Sequence, residues 1–273
     1  MIDTISCLNG ATTMPYDLRD DILYSSLAGF HGVEIWIDKL RKFLKEFSKE
    51  DLKRFLTEAN ISAPSLCPFG GLIFSPKDIF EKRVREMENF LEIGNFIGSK
   101  YIVVCAEGFG GKSFDEAKEI YVSRLRELSR VVEKYDIKIA FEWFKELPYA
   151  IDIVNTVDEE NIGFLIDTFH WYRGDGNIEN LRKIPSQKIF FVHISDCENL
   201  PRDKLRDENR LYCGLGVIPL IDILKILDDK DYEGYLSVEI FRREYWKHNA
   251  QIITIDAYDT LIGVGLEAGV RIR

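Results

Sequence analysis

The chain predicts an α/β fold, a single (β/α)8 TIM barrel over residues 1–273, and three observations carry that prediction. Short β-branched or aromatic runs alternate with longer charged segments of helical period. Eight such runs occur, with no linker or composition shift to divide them. The length of 273 residues suits one barrel of eight units. Such alternation requires a parallel sheet covered by helices, because each strand must be crossed over before the next can lie beside it. An open doubly wound sheet would want a Gly-rich turn after its first strand. Here Gly29-Phe-His-Gly32 precedes a strand instead.

The eight strands are expected at about 2–9, 32–37, 61–68, 101–106, 138–143, 162–167, 188–194 and 234–240. Between them the clearest helices are 48–60, 75–98 and 114–136. In the last, Ala117, Ile120, Tyr121, Leu125, Leu128 and Val131 or Val132 form one apolar face among charges. Ser48 and Ser75 are candidate caps for the first two, with acidic residues in the opening turn. The stretch 244–271 reads as the helix that closes the barrel. Its apolar end, Leu261-Ile-Gly-Val-Gly-Leu266, is compatible with packing on the barrel or with a homo-oligomer contact. The stretch 195–219 is long, charged and punctuated by Gly and Pro, which marks a functional loop rather than a spare one.

Composition excludes several function classes. A hydrophobic content of 46% supplies a substantial core. A net charge of -10 argues against nucleic acid, since phosphate contacts need clustered Lys and Arg. Five cysteines without regular spacing (Cys7, Cys67, Cys105, Cys197, Cys213) read as reduced thiols of a cytoplasmic protein. The first residues lack a basic and then apolar leader, and no apolar stretch is long enough to span a bilayer, so no membrane association is expected.

Four ligand-type side chains stand at the carboxyl ends of the last four strands: Glu142, Asp167, His193 and Glu239. A charge or imidazole is costly in an apolar run unless paired or bound. One such residue is ordinarily a salt-bridge partner or a structural histidine, but four successive strands repeat the placement. In a barrel those ends are neighbours on the active face. Three carboxylates and one imidazole suit one divalent ion: Mn²⁺, Mg²⁺ or Co²⁺ by the oxygen-rich set, or Zn²⁺ by the imidazole. Nearby, His170 in the loop past Asp167, Arg210, Arg242 and Glu34 are candidate substrate contacts. Each also has a plain structural reading. Trp36, Phe69, Trp143 and Trp171 are candidate walls of a sugar-sized pocket, with ordinary packing as the alternative.

The motifs around these residues are Phe141-Glu-Trp, Ile166-Asp-Thr-Phe-His170, Val192-His-Ile-Ser-Asp196 and Ser237-Val-Glu-Ile-Phe-Arg242. They resemble the xylose-isomerase-like TIM-barrel superfamily of sugar isomerases, epimerases and related AP endonucleases. Residues 188–247 are most similar to its inosose (2-keto-myo-inositol) isomerase group. The carrying elements are His193, Asp196-Cys-Glu198, Asp207-Glu-Asn-Arg210, Gly214-Leu-Gly216, Val238-Glu-Ile-Phe-Arg242 and Glu244-Tyr-Trp246. Cys213 and Arg243 stand where that group has proline. The resemblance implies that Glu142, Asp167, His193 and Glu239 hold the metal, and that Glu142 and Glu239 also exchange protons with a sugar or inosose. Isomerisation through an enediolate is the leading expectation, with 3-epimerisation and inosose dehydration as alternatives from the same site. A three-zinc nuclease is not expected. The chain has four histidines in all, and the third and fourth strand ends contain none.

Overall fold

The computed structural model describes residues 3–273, so Met1 and Ile2, where the first predicted strand was expected to begin, lie outside the described residues. The barrel strands are β1 (Asp3–Asn9), β2 (Gly32–Trp36), β3 (Ser65–Phe69), β4 (Tyr101–Cys105), β5 (Lys138–Glu142), β6 (Ile162–Asp167), β7 (Ile189–Ile194) and β8 (Tyr235–Val238). Each pairs in parallel with its successor, and β8 pairs with β1 to close the ring. Arg271–Ile272 adds a short parallel pairing on Asp3 and Thr4 of β1.

Around the barrel run α1 (Leu18–Ala28), α2 (Ile37–Phe43), α3 (Lys49–Glu58), α4 (Lys77–Ile97), α5 (Phe114–Glu133), α6 (Leu147–Val157), α7 (Thr168–Gly174), α8 (Ile178–Arg182), α9 (Leu220–Asp229) and α10 (Ala250–Ala268). Ser48 caps α3 with a reciprocal Asp51 bond, as its sequence context predicts. Ser75 does not cap α4. Its hydroxyl turns back to the Gly71 carbonyl, and Pro76 occupies the cap position. The third strand starts later than its apolar run because Pro64 has no N–H to give the ladder; only a Gly32–Ser62 bridge precedes it. The closing helix also starts late, at Ala250, where the Asn249 side chain accepts the Ile252 N–H. Its apolar end divides: Leu261 and Val264 are buried, whereas Leu266 is 76% exposed. Among the described residues no helix is long and apolar enough to cross a membrane.

Strand side chains alternate between the helix layer and the barrel interior. Outward residues such as Leu8, Val33, Leu66, Val104, Phe141 and Ile166 join the large core beneath the helices. The inward floor is Cys7, Cys67, Val103, Ala140, Leu165, Phe190 and Phe191, with Tyr235 stacked on Phe191 at 5.9 Å. Two residues further along the strands, the next inward positions include Asn9, Cys105, Glu142, Asp167 and His193, and Glu239 follows β8. The apolar floor seals one end, so the polar layer lies where the strands end and the βα loops begin.

Candidate metal centre

Glu142, Asp167, His193 and Glu239 converge. One ligand atom from each lies within 4.8 Å of all the others, and all four side chains are buried. The sheet register sets this up: Asp167 is directly paired with His193, and the Glu239 N–H adds one more ladder bond to Ile194 O beyond the end of β8. His193 Nδ1 faces Glu239 Oε2 at 3.3 Å, Glu142 Oε1 at 3.4 Å and Asp167 Oδ2 at 3.8 Å. That nitrogen is buried and has no hydrogen-bond partner. An orphaned ring nitrogen ringed by three carboxylate oxygens is the donor set a divalent cation requires. The residues fit a divalent metal.

The other ring nitrogen is already committed. His193 Nε2 lies 2.9 Å from Glu34 Oε2. The same carboxylate accepts from Asn9 Nδ2 at 2.8 Å, Ser65 Oγ at 2.9 Å and Ser237 Oγ at 2.8 Å. Burial raises the Glu34 pKa, but His193 and these hydrogen bonds outweigh it and hold the group below its ordinary value. Glu34 is therefore an ionised acceptor that makes Nε2 the protonated nitrogen and turns Nδ1 toward the carboxylates. Glu34, Cys67 and His193 also lie within ligand distance of each other. Glu34 Oε2 is already shared by Asn9, Ser237 and His193 Nε2, so that cluster orients the imidazole. Glu34, a candidate substrate contact, is fully buried and bonded to these side chains.

Protons compete with a cation for these groups. Burial opposes charge on His193, yet Glu239 and Glu34 outweigh it and hold the imidazole well above its ordinary value. Burial pushes Glu239 up to about 7, against the pull of His193 and Arg210. Both groups must lose protons when a cation binds, so affinity weakens as pH falls.

Arg210 reaches the site from the 195–219 loop and is fully buried. Its Nη2 donates to Asp167 Oδ2 at 2.8 Å and lies 3.4 Å from Glu239 Oε2. Burial would lower the Asp167 and Arg210 charges alike; their mutual attraction instead holds Asp167 below and Arg210 above its ordinary pKa. Arg210 offsets the surplus negative charge of three carboxylates.

His170 lies in the first turn of α7 rather than in a loop, because Asp167 caps that helix through the Phe169 and His170 N–H groups. Its Nε2 is 3.3 Å from Arg210 Nη2. Arginine can only donate, so Nε2 is the acceptor and Nδ1 carries the proton. Nδ1 is buried without a partner, and the ring packs 4.4 Å from Phe144. A substrate oxygen can accept that orphaned N–H.

Arg242, a candidate substrate contact, is engaged by Glu198 at 2.8 Å and lies over Tyr245. Phe69, Trp143 and Trp171 are buried packing residues, the two indoles bonded to Glu146 O and Asn177 O. Trp36 is half-buried, edge-on to Phe241 at 5.7 Å. Sequence reading passed over three neighbours. Asn9 Nδ2 donates to both Glu34 and Glu239. The Cys105 thiol donates to Glu142 Oε2 at 3.2 Å. Phe144 backs His170. Asn9 and Cys105 end β1 and β4 in the same inward layer as the ligands, and that periodicity was the signal available for finding them.

The model of the xylose isomerase-like TIM barrel family matches residues 24–257. The inosose isomerase of Halalkalibacterium halodurans is 32% identical over 270 residues, covering 94% of this chain and 95% of that protein. A crystal structure of IolI protein with a zinc atom bound aligns with a TM-score of 0.93 at 31% identity, covering 97% of this chain and 99% of the other. The inosose dehydratase of Clostridium botulinum is 28% identical over 244 residues, covering 78% of each. The chain belongs to the xylose isomerase-like TIM-barrel family.

Proposed function

We propose that this chain is a metal-dependent isomerase of an inosose such as 2-keto-myo-inositol, or of a related ketose. The observation that carries the reading is the buried His193 Nδ1, unpartnered and facing Glu142, Asp167 and Glu239. Its likeness to the inosose isomerase of H. halodurans, over nearly the full length of both chains, supports the substrate class. Those four residues would hold one divalent ion, Mn, Zn, Mg or Co. When bound, it supplies electrostatic stabilisation for the oxygen that becomes an enediolate.

The chain's own residues do the rest. Moving a carbonyl to the adjacent carbon requires one proton to leave carbon and another to return. Glu142 and Glu239 are the two carboxylates placed for this. Glu142 turns Oε1 toward His193 and has Oε2 held by the Cys105 thiol. Glu239 holds Oε1 against Asn9, so that carboxylate is oriented from the β1 side. His170 Nδ1–H and Arg210 fix substrate oxygens, and the fully buried Arg210 keeps water from Asp167. The substrate is a small polyol ketone.

The similarity to an inosose dehydratase favours one second reading: the same proton abstraction followed by loss of a β-hydroxyl. Incubating 2-keto-myo-inositol with metal-loaded protein and identifying products by NMR separates the outcomes. A positional ketone isomer, with formation stopped by EDTA and restored by added metal, is expected. A dehydrated product would assign the lyase, a stereoisomer at the carbon beside the carbonyl would assign an epimerase, and no turnover on inososes or ketoses would end the proposal.

A further inference from the structure

Arg210 reaches the centre from a long loop rather than from a barrel strand or its end. It comes from a strap, residues 196–218, folded over the mouth. Asp196 closes the neck of the strap, its carboxylate accepting the N–H groups of Cys197, Gly216 and Ile218 at 2.8–2.9 Å. A Cβ at Gly216 would stand 2.1 Å from Cys197 O, so only glycine permits that closure. Beyond the neck the two limbs of the strap share a two-residue antiparallel ribbon, in which Cys197 pairs with Arg210. So short a ribbon does not hold itself closed.

What grips it is the segment after β8. Arg242 donates to Glu198 Oε1 on one limb at 2.8 Å and to Glu208 O on the other at 3.3 Å. Glu198 in turn accepts from Asn209 Nδ2 at 2.9 Å, tying the two limbs together. Three residues on, Tyr245 stacks on Tyr212 of the strap with ring centres 4.1 Å apart and planes 4° from parallel. The Arg242 guanidinium lies over the same Tyr245 ring. We propose that Arg242 and Tyr245 are positioning residues, a latch that holds the strap shut and thereby seats Arg210 between Asp167 and Glu239. Glu239 lies three residues before Arg242, so a single short segment carries both a candidate ligand and the latch. The acidic loop, the Asp-x-x-Arg element, the Gly-x-Gly turn and the Phe-Arg…Glu-Tyr element of the sequence are then parts of one device.

The proposal rests on the isomerase reading only for its turnover readout; its exchange readout does not. The Arg242–Glu198 pair is partly exposed, at 18% and 34%, so its loss should leave global stability nearly unchanged. In the full-length, metal-loaded protein, Arg242→Gln is expected to speed amide hydrogen exchange across 197–211 by roughly tenfold while the barrel strands keep wild-type protection. Turnover should fall mainly in kcat, with metal content unchanged. Arg242→Lys should restore most of both. Glu198→Gln should reproduce the defect, and the double variant should be no worse than either single one. Tyr245→Leu gives an independent second test through the stacked pair. The opposite pattern overturns the latch: a raised KM with strap exchange unaltered, which would make Arg242 a direct substrate contact, or additive losses in the double variant. If wild-type protein turns over no candidate ketone, the isomerase reading fails, while the exchange comparison still decides whether the strap is latched.

Discussion

Glu142→Gln and Glu239→Gln are each expected to lower kcat by about 10²–10⁴-fold. Glutamine keeps the shape and an oxygen for the cation but cannot take or give the proton. The two groups act in one transfer sequence, so the double variant should lose little beyond the worse single variant. The check is steady-state kinetics on protein whose metal content has been measured. Near-normal turnover of either variant with metal bound would refute the acid/base assignment. Glu239→Gln should also weaken the pH dependence of metal binding, because burial raises the Glu239 pKa to about 7 in the metal-free protein and a cation must displace that proton. As pH falls through about 7 the wild-type Glu239 takes up its proton, so metal affinity measured by titration of the chelated protein should fall there in wild type and less in the variant.

Arg210→Met should produce the largest stability change. The guanidinium is fully buried and bonded to Asp167, Ser195 Oγ and the Glu239 carbonyl. Removing one partner of such a pair leaves a buried carboxylate uncompensated, at a cost of about 3–5 kcal/mol in the metal-free protein. Urea denaturation of wild type and variant after chelation measures it. The sign reverses for the cation. With a neighbouring positive charge gone, a divalent ion should bind the folded variant more tightly and recover more stability on loading than it does in wild type. A variant equally stable with and without metal would show that Arg210 does not offset charge in this cluster.

The ligands were legible because each breaks an apolar strand run at the same point in its period. Glu142, Asp167, His193 and Glu239 are separated by about one βα unit each, so a strict alternation of strand and helix is enough to bring them together. Asn9 and Glu34 obey the same rule on β1 and β2. Their roles were hidden because inward position alone does not say whether a polar group meets a cation or a neighbouring side chain. The cross-barrel bonds from Glu34 to His193, Ser65 and Ser237 decide that, and they span up to 203 residues of sequence. Arg210 was visible as a candidate, but its seat against Asp167, 43 residues earlier, depends on how the strap folds. The same limit holds for Arg242, whose bond to Glu198 spans 44 residues of sequence and depends on the folded strap. Strand and helix ends moved for local reasons that side chains settle: Pro64 delays β3, and the Ser75 hydroxyl finds the Gly71 carbonyl rather than an N–H of α4.

The most direct test of the central claim is to locate the cation in crystals of the metal-loaded protein by anomalous scattering at the metal's absorption edge. The account predicts one ion, bonded to His193 Nδ1 and to oxygens of Glu142, Asp167 and Glu239 at about 2.0–2.3 Å, with His193 Nε2 still on Glu34. An ion held instead by Glu34, Cys67 and His193 Nε2, a multinuclear cluster, or no ion at these residues in protein that turns over substrate would contradict it.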